Sequence, residues 1–425
     1  MKSLGNISFL TYGCKVNQFD TDRIASSLSY KFNIIDDAES SDFCIVNTCT
    51  VTNKADNHIL SDIRKLKKNN PKCKILVTGC MAQTNPEYLE KISEVDYIVD
   101  NANKYLIPKV LTEPVIKKKI ISNIFDINKF NDFTIDKREK RSRAFLSIQD
   151  GCDFRCTFCI IPFARGKSRS METSSVIDKI NEFSNLGYNE VVLSGIHLSS
   201  YGNDIDSNLL ELLKLIETYC QITNIRLSSI DPADTSKELI DFFSNSKKIC
   251  PSFHISLQSG SSEILKSMKR RYRLEKFNDI LDLIKNNNDS SCIGTDVIAG
   301  FPGETEYLFN KSYEYLECAQ LDYFHVFPYS DRRGTKASSR KDKVDNDLKK
   351  ERSKALRGLS EKKKMKFYKR FIGKKLTGIS EKNSHARTRN YIDVNIKNNP
   401  NIKNGEVVEL VIDKVENGRA FGIYV

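Results

Sequence analysis

The sequence predicts an α/β chain that ends in a small all-β tail, and three observations carry that expectation. Short apolar runs alternate with helix-period segments through the first hundred residues. The alternation restarts near residue 144 with six further strand candidates, and repeated βα units imply parallel strands. About the last fifty residues hold short strand-like runs separated by Asn- and Gly-containing turns, as small β-barrels do.

In the first part, ISFLTYGC (7–14), DFCIVNTC (42–49), KILVTGC (74–80) and YIVD (97–100) read as strands. FDTDRIASSLSYKF (19–32) and NHILSDIRKLKKN (57–69) read as amphipathic helices, the second opening on Asp56 or Asn57. The charged, weakly patterned stretch 117–143 reads as a linker or an edge excursion. The second series of strands is 143–149, 189–196, 224–230, 252–258, 292–300 and 322–328, with helical patterns at 174–187, 208–220 and 304–319 between them. Six such units make either a partial barrel or an open sheet, and both place the active face at the strand C-termini. Residues 347–375 carry thirteen Lys/Arg against three Asp/Glu and read as a basic helix. After it come KLTGIS, NYIDVNI, EVVELVIDKV and RAFGIYV, four strand-like runs.

A chain of 425 residues with 39% hydrophobic and 29% charged residues is long enough for two or three cored domains. It has no run of eighteen apolar residues, so no membrane span is expected. The N-terminal MKSLGNISFLTYGC lacks the apolar core of a signal peptide, which points to the reducing cytoplasm. Twelve cysteines there should include metal ligands or reactive thiols rather than disulfides. A net charge of +12 suits a polyanionic partner such as nucleic acid.

Three of those cysteines, Cys152, Cys156 and Cys159, fall within GCDFRCTFCIIP (151–162), directly after the first strand of the second series. A structural zinc loop wants four ligands, and no fourth is close. Three thiolates on a 4Fe–4S cluster leave one iron open to a small molecule. The spacing C-x3-C-x2-C resembles that of the radical S-adenosylmethionine (SAM) enzymes, in which the SAM amino and carboxylate groups chelate the open iron. A second set, Cys14, Cys49 and Cys80, is dispersed, but each closes a predicted strand in TYGC, VNTC and VTGC. Parallel strand ends converge on one sheet edge, so these three could hold a cluster too. Buried core thiols are the competing reading of the same placement. For Cys44, Cys73, Cys220, Cys250, Cys292 and Cys318, a packed neutral thiol is the better reading.

The stretches GCKVNQFD (13–20), NTCTVTNKAD (47–56), VTGCMAQ (77–83) and QDGCDFRCTFCIIPFARGKSRS (149–170) closely resemble the methylthiotransferases. VVLSGIHLSSYG (191–202), RLSSIDP (226–232), HISLQSGS (254–261) and DVIAGFPGET (296–305) extend the resemblance over nearly the whole chain. It implies an N-terminal methylthiotransferase domain (1–125), a linker (126–143), a radical-SAM partial (βα)6 barrel (144–346), a basic connecting helix (347–366) and an RNA-binding TRAM β-barrel (367–425). It also implies an auxiliary 4Fe–4S cluster on Cys14, Cys49 and Cys80 beside the SAM-binding one on Cys152, Cys156 and Cys159. GCKVNQ, NTCTVTNKAD and GIHL resemble the branch acting on N6-threonylcarbamoyladenosine 37 of tRNA. The alternatives are the isopentenyladenosine branch and the branch modifying an aspartate of a ribosomal protein. An RNA-binding iron–sulfur redox sensor is the alternative from another class.

That branch inserts a methylthio group at C2 of the adenine. The C2 hydrogen is not acidic, so radical chemistry is expected, and no catalytic residue beyond the cluster ligands is assigned. The implied mechanism spends one SAM on methylating sulfur and one on generating a 5′-deoxyadenosyl radical, and it needs an electron donor and a sulfur donor. For SAM contacts the resemblance points to Phe158, Ser194, Gly195 and the turn holding Gly300 and Gly303. Ser256 and Gln258 read equally well as packing groups, and His197 as a core or loop histidine. Lys362, Lys363, Lys364, Lys366, Lys369, Arg370, Lys374 and Lys375 are candidates for tRNA phosphates, while Phe367, Tyr368 and Phe371 should pack.

Overall fold

Each apolar run of the first hundred residues becomes a buried parallel strand, because parallel strands are covered on both faces and tolerate little polarity. The computed structural model describes residues 3–113, 118–130, 141–382, 384–398 and 401–425. The strands β1 (Asn6–Thr11), β2 (Asn33–Ile34), β3 (Phe43–Thr48), β4 (Lys74–Gly79), β5 (Tyr97–Val99) and β6 (Lys119–Ile120) form one sheet in the order β2-β1-β3-β4-β5-β6. Every pairing in it is parallel. Ile7, Ile45, Ile75 and Val77 are fully buried in its core.

Two compact units divide the chain. The first comprises Met1–Asp136, Gln149–Met171 and Ser330–Ser338, and the second comprises Lys137–Ile148, Glu172–Tyr329 and Ser339–Val425. The next strands are β7 (Ala144–Asp150), β8 (Arg169–Ser170), β9 (Glu190–Gly195), β10 (Asn224–Leu227), β11 (Ser252–His254), β12 (Cys292–Ala299) and β13 (Tyr323–Pro328). They form one sheet ordered β10-β9-β7-β8 and another ordered β11-β12-β13. Isolated parallel bridges, Ile225 to Ile249 and Ile230 to Ile255, join the two across β10 and β11. Helices follow the strands at Thr173–Asn185, Leu209–Tyr219, Lys237–Asn245, Leu274–Asn287 and Glu306–Cys318. Apart from the two-residue antiparallel β8, six strands linked by helices make the partial (βα)6 barrel expected from the sequence.

The tail closes into a barrel of five strands: β14 (Lys375–Glu381), β15 (His385–Thr388), β16 (Asp393–Ile396), β17 (Val407–Glu416) and β18 (Arg419–Tyr424). Its core is Ala386, Ile392, Val394, Val408, Leu410, Ile412 and Ala420. Phe367, Tyr368 and Phe371 pack into the same core, as expected.

Several expectations need correction. The first helix spans Lys15–Leu28, not 19–32, and starts directly on Cys14 as its N-cap. The second spans Asn53–Asn69, because the Thr52 hydroxyl caps it by accepting from the Ala55 N–H at 3.2 Å. The basic helix runs from Asn346 to Lys369. The strand β15 escapes the sequence pattern, since His-Ala-Arg-Thr offers only one apolar residue. Cys318 is exposed, whereas Cys44, Cys73, Cys220, Cys250 and Cys292 are buried as expected. Part of the expected linker, residues 131–140, lies outside the described residues.

Candidate metal centre

The backbone at the end of a strand aims the thiol beside it. Gly13, with φ +95°, precedes Cys14, and Gly79, with φ +96°, precedes Cys80. Both glycines are required. A Cβ on Gly79 would stand 2.4 Å from the Thr48 carbonyl oxygen, and one on Gly13 would stand 2.9 Å from the Cys49 Sγ. The glycines let β1, β3 and β4 end at one edge with their backbones close, and the helices Lys15–Leu28 and Cys80–Thr84 start there. Cys49 directly follows β3 and is buried, as is Cys80, while Cys14 is exposed as a residue although protein surrounds its thiol.

The three thiols sense one another. Burial pushes the Cys49 thiol up to about 12, and its neighbours Cys80 and Cys14 add to the rise. Surrounding protein is the largest influence raising Cys14, opposed by Arg165 and reinforced by Cys80. None of the cysteines is disulfide-bonded. Burial thus favours the neutral form of Cys14 and Cys49 unless cations or a metal group compensate, and the cations are present. Arg165 and Lys104 are buried beside them, with the Asp20 carboxylate between: Arg165 Nη2 lies 2.9 Å from Asp20 Oδ2, and Lys104 Nζ donates to the same oxygen. Burial alone would raise Asp20, but Lys104, Arg165 and Arg23 outweigh it and hold the carboxyl far below its ordinary value. Asn101 approaches from another side, its Nδ2 lying 3.8 Å from Cys80 Sγ.

Cys152, Cys156 and Cys159 occupy one loop, all half-buried. The loop is clipped at its root: Cys152 N–H donates to the Gly166 carbonyl at 3.0 Å. Gly151 has φ +76°, and a Cβ there would stand 1.8 Å from the Lys167 carbonyl oxygen. Asp150 gathers Arg169 at 2.7 Å and Arg165 at 3.4 Å under the loop. All six candidate cysteines thus belong to the first unit. Among the described residues, no three His, Cys, Asp or Glu side chains are close enough to hold a single metal ion. A four-iron cluster instead spreads three thiolate attachments over different irons. The donor chemistry of both sets, thiols with nearby cations and glycine-cleared space, fits such an anionic group.

The candidate SAM residues fall where strands end. Phe158 sits in the cysteine loop, half-buried. Ser194 and Gly195 close β9, and Ser194 Oγ donates to the Leu146 carbonyl at 3.3 Å. Gly300 and Gly303, both at positive φ, follow β12 in a turn. The space beside these glycines is taken by the side chains of Lys349 and Arg340. Ser256 and Gln258 are half-buried, Gln258 with φ +76°. His197 is buried with its Nε2 3.1 Å from Asp234 Oδ2, in keeping with a loop histidine.

On the basic helix and just beyond it, Lys362, Lys366, Lys369 and Lys374 are exposed. The others have partners: Lys363 donates to the Ala319 carbonyl, Lys364 pairs with Glu361, Arg370 with Asp289 and Lys375 with Glu409. Sequence reading missed Asp20, Lys104, Arg165 and Arg332, because a charged residue's burial depends on partners far along the chain.

The family described as "Uncharacterized protein family UPF0004" matches residues 6–100, and the Radical SAM superfamily matches residues 146–316. A relative named threonylcarbamoyladenosine tRNA methylthiotransferase MtaB, from Aquifex aeolicus (strain VF5), is 40% identical, covering 91% of this chain and 96% of the relative. A tRNA-2-methylthio-N(6)-dimethylallyladenosine synthase from Thermoanaerobacter sp. (strain X514) is 33% identical, covering 89% of this chain and 83% of that one. Among solved structures, the radical S-adenosylmethionine methyltransferase TsrM from Kitasatospora setae matches with a TM-score of 0.57 at 14% identity, covering 78% of this chain and 77% of that chain. That likeness speaks for the fold alone. The identity to the Aquifex relative over almost its full length goes further: the chain belongs to the radical-SAM tRNA methylthiotransferases.

Proposed function

We propose that this chain converts the C2–H of N6-threonylcarbamoyladenosine 37 in tRNA to C2–SCH3. The observation that carries the reading is the 40% identity to a relative named for that substrate, extending over 96% of the relative. In this reading Cys152, Cys156 and Cys159 hold the cluster that binds SAM, and Cys14, Cys49 and Cys80 hold the auxiliary cluster. When bound, the two clusters supply one-electron reduction of SAM and a place to hold sulfur.

The chain's own residues do the remaining work. Gly151 and Gly166 fix the root of the cysteine loop, and Asp150 with Arg165 and Arg169 steadies it. Phe158, Ser194, Gly195, Gly300 and Gly303 are the residues assigned to SAM. The basic helix and the β-barrel hold the tRNA, whose anticodon loop is single-stranded and can splay the target base outward. A separate electron donor and a sulfur donor complete the reaction, and the site of action is the cytoplasm. No helix is long and apolar enough to cross a membrane among the described residues.

Mass spectrometry of bulk tRNA nucleosides from a deletion strain tests the reading. The expected result is loss of 2-methylthio-N6-threonylcarbamoyladenosine with its unthiolated precursor accumulating. Loss of the dimethylallyl analogue instead would move the chain to the other tRNA branch, which the 33% identity to the Thermoanaerobacter relative keeps in view. An unchanged nucleoside profile with altered ribosomal-protein mass would move it to the protein-modifying branch. If reduced protein released no methionine or 5′-deoxyadenosine from SAM, only the redox-sensor reading would survive.

A further inference from the structure

Within the first unit, the segment Ser330–Ser338 reaches both cysteine sets. At one end the Asn53 N–H donates to the Ser330 Oγ at 3.0 Å, just after the Cys49 loop. At the other end the Ala337 N–H donates to the Thr157 carbonyl at 2.8 Å, between Cys156 and Cys159. A tight turn shapes the segment: Thr335 N–H and Oγ1 both bond the Arg332 carbonyl, and Gly334 has φ +90°. The turn sends the Arg332 side chain inward.

Arg332 is 6% exposed, and two of its three guanidinium nitrogens have partners. Nη1 lies 2.6 Å from Asp56 Oδ2, and Nε lies 3.3 Å from the Val51 carbonyl, two residues beyond Cys49. Nη2 is buried with no hydrogen-bond partner among the described residues. Leaving a buried donor unpaired is costly, and more so when it is charged. A merely structural tie would be complete with Asp56 and Val51. The third nitrogen calls for an acceptor. The Val51 carbonyl, two residues beyond Cys49, and the Asn53–Ser330 bond set the guanidinium beside the Cys49 loop.

We propose that Arg332 is a positioning residue of the N-terminal site, its Nη2 N–H donating to sulfur of the auxiliary cluster at the Cys49 corner. The inference rests on the assignment of Cys14, Cys49 and Cys80 as cluster ligands. Its chemical sense is direct. Hydrogen bonds to cluster sulfurs and nearby positive charge stabilise the more negative, reduced state and raise the potential. The same guanidinium favours retention of any anionic sulfur brought to that corner. Asp56 and Val51 prevent it from rotating away.

The test uses the full chain carrying Cys152→Ala, Cys156→Ala and Cys159→Ala, reconstituted anaerobically so that the N-terminal cluster is isolated. Iron is counted, and the midpoint potential is measured by redox titration followed by electron paramagnetic resonance. Arg332→Gln should bind the same iron and titrate at a lower potential. A tenfold fall in the reduced-to-oxidised ratio at fixed ambient potential corresponds to about 59 mV for one electron. Arg332→Lys, which keeps the charge but not the fork, should restore part of the shift. Because Arg332→Gln leaves the Asp56 carboxylate unpaired, Asp56→Asn/Arg332→Gln is also compared with Asp56→Asn alone, so that the Asp56 charge is absent from both, and should titrate at the lower potential of the two. Full iron with an unchanged potential in the folded variants overturns the proposal. Absence of iron from the triple-alanine parent overturns the ligand assignment itself, and the proposal with it.

Discussion

Cys49 and Cys156 each represent one thiol set, and on the proposed assignment replacing either should separate SAM cleavage from methylthiolation. Cys49 is buried among Gly13, Cys14 and Cys80, so its removal opens the N-terminal site without touching the 152–159 loop. Cys49→Ala should therefore keep SAM cleavage to 5′-deoxyadenosine and lose methylthiolation of tRNA. Cys156→Ala should do the opposite to the chemistry: no 5′-deoxyadenosine forms, yet iron remains at the N-terminal site. Anaerobic iron counting and chromatography of 5′-deoxyadenosine read both. Full methylthiolated product from Cys49→Ala would show that this thiol holds no essential cluster.

At the scale of elements, one arginine joins three strands. Arg226, fully buried on β10, grips Glu190 of β9 through Nε at 2.8 Å and Nη2 at 3.1 Å. Its remaining protons reach Ser252 Oγ on β11 at 2.7 Å and the carbonyls of Thr388 and Arg389, where β15 ends. Burial alone would raise the Glu190 carboxyl, but Arg226 outweighs it and holds the group below its ordinary 4.5. The folded state then binds a proton less readily than the unfolded chain. The pair's stabilisation is fully present above about pH 4.5 and is lost as pH falls below it. Glu190→Gln should cost about 3–5 kcal/mol at neutral pH, because it leaves a buried guanidinium without its carboxylate. Melting temperature against pH should show wild type and variant converging below pH 4.5; parallel curves would mean that Glu190 is not the titrating partner.

This pair also shows what sequence can and cannot reveal. Strands were legible because apolar runs ended abruptly in Gly-Cys or Asn-Thr-Cys, and the six candidate cysteines were legible because each closes a strand or shares one loop. The start of the helix Lys15–Leu28 was hidden, since it buries Asn17, Asp20, Thr21 and Asp22 on a face that hydrophobic periodicity discards. Asn17 and Asp20 are partnered there by Arg165 and Lys104, which arrive from 148 and 84 residues away, and Thr21 by Thr11 and Asn47. No local pattern encodes such a meeting. The two-residue strands β2, β6 and β8 were equally unreadable, being held by neighbours rather than by their own composition.

For the whole molecule, the excess of twelve positive charges should be felt in tRNA binding, and the fold narrows which charges count. Lys364, Arg370 and Lys375 already face carboxylates, and Lys363 is spent on a carbonyl. Lys362, Lys366, Lys369 and Lys374 remain exposed along the basic helix and just beyond it. Each phosphate neutralised releases about 0.7–0.9 of a counterion, so four contacts give a slope of about −3 in log K against log salt. Filter-binding of cognate tRNA across a salt series should return a slope at least that steep for the wild-type protein. Changing Lys362, Lys366, Lys369 and Lys374 together to Gln should flatten it by about 3 while leaving SAM cleavage intact, since none of the four lies in the unit that carries the six cysteines. A slope unchanged by the four substitutions would place the phosphate contacts elsewhere, and the paired cations, freed from their carboxylates by tRNA, would be the next to test.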